Sequence, residues 1–411
     1  MKLIVLTTAA VLASVFAQLP ARADDTVAMR DYVAEVVARN PSLRADTLRR
    51  GSFRDEAAGT GKWPDPFVSV MVDRVPQAMS GDIPMIRYSV TQMLPWPGKL
   101  SFMREAVERR GDGSEAELDA RRLDLRLDAE RSYLMLWMNA KRREVNRVQR
   151  AIATNIASAA LSRYSVGSAD HHEVARAQVE INSLDVQNID LEGERTSIVA
   201  MINALRDEPS DTVMPDPVDI IGPTVPLSLD ALTERALVSR PELQRMKAMG
   251  NEAGAMAALA RREPYPDIMT SVWANQMLGG PPTMGAMIGF TLPIFSGSRG
   301  ARLGAAFDAR AHAATEDAEW MRAMIRAEVA EALVKVQTAT RQVDLIEAVV
   351  LPKAHESFDA SLAGYGGRTT DVVGVLDARR SLQDVELMVA EARVKRAVAI
   401  AELEHAIGGT L

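Results

Sequence analysis

Two kinds of hydrophobic pattern run along this chain, and each appears in two places. In FVSVMVDRV (67–75) and MIRYSVTQM (85–93) apolar and polar side chains alternate, putting Ile86, Tyr88 and Val90 on one face and Arg87, Ser89 and Thr91 on the other. IMTSVWANQ (268–276) and MGAMIGFTL (284–292) behave alike, with Met284, Ala286, Ile288, Phe290 and Leu292 against Gly285, Met287, Gly289 and Thr291. A period of two with one apolar face predicts four two-faced strands. The second pattern is helical and very long: residues 114–163, 171–206, 301–363 and 371–407 are nearly free of Gly and Pro, apart from Pro352 and Gly374. At about 1.5 Å per residue, a helix of some 60 residues reaches roughly 90 Å. Shorter helix pairs, 27–39 with 42–60 and 228–239 with 241–262, are each broken at an X-Pro step.

These elements recur in one order. Asn40-Pro41-Ser42-Leu43 matches Arg240-Pro241-Glu242-Leu243, Trp63-Pro64-Asp65 matches Tyr265-Pro266-Asp267, Leu94-Pro95 matches Leu292-Pro293, and Tyr164 with Asp170 matches Tyr365 with Asp371. The offsets of 200, 202, 198 and 201 residues predict two tandem repeats, 24–210 and 227–411, joined by a Pro-rich linker at 211–226. Each repeat holds a helix pair, a strand pair and a long helical hairpin. The fold class expected is mainly α with a small β part.

Before the first repeat, MKLIVLTTAAVLASVFAQLPARADD carries Lys2, an apolar run from Leu3 to Ala17, and Ala21-Arg22-Ala23. That order predicts a secretory signal peptide over residues 1–23. No later run is long and apolar enough for a transmembrane helix. With 411 residues and a net charge of −7, the chain has no basic surplus to recommend a nucleic-acid partner. It has no cysteine, which excludes disulfides, thiol catalysis and a cysteine-linked lipid anchor.

Strands of this length, apolar on one face, suit a tilted membrane barrel. A small soluble sheet packed on the helices fits the same alternation. Closed membrane barrels need about eight strands, and an open edge in lipid leaves backbone groups unpaired. One chain supplies four strands, so a membrane barrel would have to be shared, and three chains would supply twelve.

Taken together, the leader, the duplicated strand and helix pairs, the Leu-Pro corners and the two hairpin tips resemble the TolC family of outer-membrane efflux proteins. The tips are RYSVGSADHHEVARAQ (163–178), with Tyr-x-x-Gly, and GYGGRTTDVVGVLDARRSL (364–382), with Tyr-Gly-Gly, each followed about ten residues later by Ala with Gln or Arg. The resemblance implies a homotrimer in the bacterial outer membrane: a shared 12-stranded β-barrel continued by an α-helical barrel through the periplasm. It implies a passive exit duct of a tripartite efflux system, without a cofactor. The partners would be a periplasmic adaptor and an inner-membrane pump of the resistance-nodulation-division type. By position, the adaptor-docking turns would be Tyr164, Val166, Gly167 and Ser168, and Tyr365, Gly366, Gly367 and Arg368, where glycine permits positive φ and leaves backbone uncovered. Aligned on VLDA, Asp377 would line a pore constriction in a trimer, and Glu173 is its weaker counterpart in the first half.

Candidate chemistry changes this picture little. His171-His172-Glu173 cannot put both histidines on one helical face, and no metal site is assigned there. Of 21 methionines, Met71, Met79, Met85, Met93, Met269, Met277, Met284 and Met287 fall in or beside the strands. Thioethers suit Cu(I) or Ag(I), although methionine on a lipid face is also ordinary hydrophobic filling. Metal-ion efflux is therefore one reading of the cargo, with drug efflux and type I protein secretion as alternatives and a periplasmic coiled-coil tether as a structural one. The corner MLPWPGKL (93–100) resembles those of the heavy-metal branch of the family. Its Gly98-Lys99-Leu100 lacks the Ser or Thr of a phosphate loop, and no nucleophile and base recur together, so no enzyme is expected. Pro95, Trp96, Pro97 and Gly98, with Pro293 and Phe295 opposite them in the second repeat, are expected as strand-to-helix corners, Trp96 anchoring at the lipid–water boundary.

Overall fold

In the computed structural model, residues 26–75, 83–168, 170–220, 228–277, 280–294, 296–367 and 369–411 are described. The expected signal peptide lies outside them, as do Met79, Phe295 and Arg368. The first half runs β1 (Thr26–Val27), α1 (Met29–Arg39), α2 (Pro41–Thr60), β2 (Phe67–Val75), β3 (Ile83–Leu94), α3 (Lys99–Ser165) and α4 (His171–Arg206). The second runs β4 (Asp216–Pro217), α5 (Leu229–Ser239), α6 (Pro241–Ala260), β5 (Ile268–Met277), β6 (Thr283–Phe290), α7 (Ser296–Leu345), a π turn (Ile346–Val350), α8 (Leu351–Gly366) and α9 (Val372–Ala406).

The 67 residues of α3 make a rod of about 100 Å. It starts at Lys99, well ahead of the expected residue 114, because Gly111 and Gly113 do not interrupt it. They lie where α3 meets its neighbours: a Cβ added to Gly111 would sit 3.3 Å from that of Phe53 on α2. In α7, a Cβ on Gly300 would come within 2.8 Å of the Ala260 carbonyl of α6. Glycine inside a helix costs about 1 kcal/mol, and here it permits close approach. Pro352 removes a backbone donor, and the wider π turn just before it takes up the mismatch, so the rod continues.

Each half has its own core on the long helices. Tyr32, Leu118, Tyr133, Leu136 and Ile202 belong to the first, and Leu232, Ile325, Val329 and Leu403 to the second. Tyr32 shares a hydrogen bond of 2.8 Å with Ser132 and stacks on Tyr133 at 6.1 Å. Burial pushes both phenols up to about 12. The expected linker is more than a tether: β4 pairs in parallel with β1, Met214 is buried, and Asn203 Nδ2 donates to the carbonyl of Thr212 at 2.8 Å. Up to residue 220 it is a strap sewn to the first half; residues 221–226 of it lie outside the described residues.

The four main strands form one antiparallel sheet in the order β2-β3-β5-β6, the two hairpins joining where β3 pairs with β5. Its outer strands, β2 and β6, have no further neighbour among the described residues. Among these residues, no helix is long and apolar enough to cross a membrane.

Candidate channel surfaces

Register sorts the sheet into two faces. The row Val68, Val90, Val272, Ala286 and the row Val70, Tyr88, Ala274, Met284 are apolar. The opposite face carries the rows Ser69, Ser89, Trp273, Gly285 and Met71, Arg87, Asn275, Thr283. Its polar groups bind one another: Ser69 to Ser89 at 2.7 Å, Arg87 Nε to Asn275 Oδ1 at 2.9 Å, and Thr91 to Ser271 at 2.9 Å. The Trp273 indole lies flat over Gly285, where any Cβ would run into the ring. A sheet with a hydrogen-bonded polar face and an opposite face that is apolar across these two rows, with Gln92, Thr270 and Gln276 toward its ends, has two different solvents to meet.

The Pro95-to-Gly98 corner joins this sheet to the tube. Gly98 takes φ 96°, which a β-carbon disfavours, and turns the chain into α3. Trp96 stacks on Tyr265 with centroids 5.3 Å apart, and the Arg262 guanidinium lies 5.7 Å from that ring. Asp267 Oδ1 accepts from the Trp96 amide and from Lys99 Nζ, both at 2.8 Å. The lysine of MLPWPGKL thus has a partner in the other half, through the Tyr265-Pro266-Asp267 triplet that served only as a repeat landmark. Pro293 is half-buried, flanked by exposed Leu292 and Ile294. Replacing Asp267 with alanine leaves the Trp96 amide unpaired and Lys99 Nζ with the Tyr265 carbonyl at 3.0 Å, and should cost about 2 kcal/mol. The thermal midpoint of the extracted protein reads this loss, and Asp267→Asn should recover part of it.

At the far end of the tube, the two tips differ despite their matching sequences. Val166 is 75% exposed, Tyr164 is exposed, and Gly167 adopts φ 70°. The Ser168 amide returns to the Arg163 carbonyl at 2.9 Å and closes the first turn. His171 packs edge-on to Tyr164 at 5.8 Å. In the second turn Gly366 and Gly367 are exposed, yet Gly367 has an ordinary φ of −80°. The turn closes because the amides of Thr369 and Thr370 both donate to the Gly364 carbonyl, at 2.8 and 3.2 Å. Tyr365 faces inward rather than out: it is buried, and the Arg163 guanidinium lies 4.5 Å from its ring centroid. Burial raises its hydroxyl pKa, with Arg163 opposing the shift. Glu173 lies beside this pair with one carboxylate oxygen covered, whereas the Asp377 side chain is 62% exposed and 3.9 Å from Arg380.

Next to the tips sits a buried charge cluster, of which the tip sequences held only Arg379 and Arg380. Arg379 of α9 is fully buried, and its guanidinium donates to Glu180 of α4 and, at 3.2 Å, to Gln149 of α3. Arg380 donates to the other Glu180 oxygen. Burial pulls the Arg379 pKa down from its ordinary value, against the pull of Glu180. One carboxylate therefore ties the two hairpins together.

The model of the family described as Outer membrane efflux protein matches residues 33–205 and 232–409. The chain belongs to that family. As an outer membrane efflux protein it is a channel component of the outer membrane and not an enzyme. Its fold is that of solved channels with a helical tube and a β-barrel portion. A membrane protein from Pseudomonas aeruginosa superposes with a TM-score of 0.79 at 19% identity, over 93% of this chain and 90% of that one. CusC, whose structures concern folding and transmembrane channel formation, gives 0.79 at 17%, over 93% and 92%. The outer membrane protein VceC of Vibrio cholerae gives 0.76 at 16%, over 93% and 96%. Among curated proteins, none matches the chain.

Proposed function

We propose that three copies of this outer membrane efflux protein close a shared 12-stranded barrel and act as the passive exit duct of a tripartite efflux system. One observation carries this reading: a four-stranded sheet with one apolar face, one polar face and, among the described residues, open edges at β2 and β6. An open edge in lipid leaves backbone groups unpaired, so further copies must cover it. Head-to-tail contacts between unlike edges close into a ring when the rotation permits. The apolar rows then meet lipid, and the polar rows line water.

The long helices continue the duct through the periplasm, and the tips form its inner end. There Tyr164, Val166, Gly167 and Ser168, with Gly366 and Gly367, offer uncovered turns to a periplasmic adaptor serving a resistance-nodulation-division pump. Arg368 is part of that proposal by sequence alone. Tyr365 is better suited to bracing the tips than to docking. Asp377, exposed on α9, is the favoured constriction residue, with Glu173 engaged by the tip contacts. We favour soft metal cations over drugs or secreted protein as cargo, on the methionines and the Pro-Trp-Pro-Gly-Lys corner.

Reconstituting the detergent-extracted protein in a planar bilayer tests the duct. A trimeric, cation-preferring pore is expected, and Asp377→Ala should weaken the preference by removing three carboxylates from the axis. A well-folded oligomer without conductance would point to a structural tether instead.

A further inference from the structure

Methionine is a natural filler for a lipid face, yet this sheet keeps it elsewhere. Of the seven methionines in the described strands, only Met284 shares the apolar face. Met71, Met85, Met93, Met269, Met277 and Met287 all fall on the polar one. Besides Phe67 and Trp273, that face carries Ser, Thr, Asn, Arg and Asp73, so six thioethers stand among polar neighbours where a sulfur can meet an ion from water.

The densest group is at the tube end. Met93 on β3 stands directly opposite Met269 on β5. Met269 is opposite Gly289 of β6, which places Met287, two residues earlier on that strand, diagonally across from it on the same face. Opposed Cβ atoms on neighbouring strands lie about 5 Å apart and diagonal ones about 7–8 Å, within reach of long side chains. Gly289 opens the floor between them, and the Met269 methyl leans over it, 3.4 Å from where a Cβ would sit. Met93 and Met287 are 42% and 43% exposed, so their sulfurs can be approached from the polar side.

The surroundings discriminate among ions. In the adjoining row Thr91 and Ser271 spend their hydroxyls on each other at 2.9 Å, and no carboxylate lies in either row. Arg87, farther up the same face, is turned to Asn275 and stands nearer the second methionine pair, Met85 and Met277. The nearest carboxylate along β5, Asp267, is engaged by the Trp96 amide and Lys99 Nζ, both at 2.8 Å, so a hard cation would find no free anionic oxygen at the lower group, whereas a soft one would find three neutral sulfurs.

We propose that Met93, Met269 and Met287 form a thioether site for a soft monovalent cation, Cu(I) or Ag(I), where the helical tube opens into the barrel. The site rests on the duct reading, because that reading makes the polar face the water-filled one. It gives the barrel a resting place for the ion, and three neutral thioethers hold it loosely enough to release it outward.

Silver is the probe, titrated into the detergent-extracted full-length protein in chloride-free buffer, with bound metal measured by equilibrium dialysis. Replacing all three residues with leucine conserves volume, which buried hydrophobic swaps tolerate well. Silver affinity should fall tenfold or more in Met93→Leu/Met269→Leu/Met287→Leu, and stay unchanged in Met103→Leu/Met135→Leu, two exposed methionines of α3. In the bilayer, silver should reduce the potassium current of the wild type and leave that of the triple variant unchanged. Equal silver binding by the wild type and the triple variant overturns the site, even if both conduct. Silver held at these residues in a protein that forms no pore sustains the site and overturns the duct.

Discussion

Replacing Glu180 with alanine should release the inner end of the tube, speeding amide exchange in the facing turns of α4 and α9 by a hundredfold or more. The reason lies in what remains behind. Arg379 is fully buried and keeps its charge at any accessible pH, so without Glu180 it is left with Gln149 and Gln383, each at 3.2 Å. Removing one partner of a buried pair costs about 3–5 kcal/mol because the other charge is stranded. Arg380 contributes little to that cost, since its side chain is 52% exposed and can turn to water. A second variant separates the stranded charge from a simple loss of packing. Glu180→Leu with Arg379→Met removes both charges at similar volume and should restore most of the protection, as apolar replacements of buried ion pairs often do. Hydrogen exchange followed by mass spectrometry, with the β-strand peptides as an internal standard, measures both. Unchanged exchange in Glu180→Ala would mean that the hindered contact does not hold the hairpins.

That cluster also marks where reading the sequence stops. Strands and helices were legible because a period of two or of 3.6 is written in neighbouring residues, and the helix pairs because proline announces its own breaks. Glycine misled at Gly111 and Gly113: its propensity speaks of chain freedom, whereas here both sit against neighbouring helices, a Cβ falling 3.3 Å from that of Phe53 and 3.6 Å from that of Ala248. Pro352 stands out in the sequence, but the π turn that accommodates it has no sequence mark. Lys99 and Asp267 are 168 residues apart and Glu180 and Arg379 a full repeat of 199, and pattern alone does not pair them. The tips are the clearest case. Tyr164 and Tyr365 occupy the same place in matching motifs, yet one is exposed and the other lies under Arg163. The repeats are alike in sequence, but each tip has a different neighbour, and the neighbour decides burial.

Two adjacent residues on β3 test the barrel itself. Val90→Arg should sharply reduce the folded trimer recovered from the outer membrane, while Ser89→Arg should leave it nearly intact. Val90 sits in a row with Val68, Val272 and Ala286, without a polar side chain to receive a guanidinium. Arginine on the lipid face of a β-barrel costs about 2–4 kcal/mol near the bilayer centre, and a trimer carries the change three times. Ser89 points to the opposite face beside Trp273, where the guanidinium meets water and an aromatic ring instead of hydrocarbon. Because the two positions share a strand and a depth, a difference between them cannot come from β-propensity or from the hairpin turn. If the sheet instead packed its apolar rows against protein in the periplasm, both variants would reach the same compartment, and Val90→Arg would fail by aggregation there. Fractionating the envelope and comparing heat-resistant trimer in the outer-membrane and soluble fractions distinguishes the two. Equal trimer yields from both variants would mean that the apolar rows do not face lipid, and the shared barrel would fall with them.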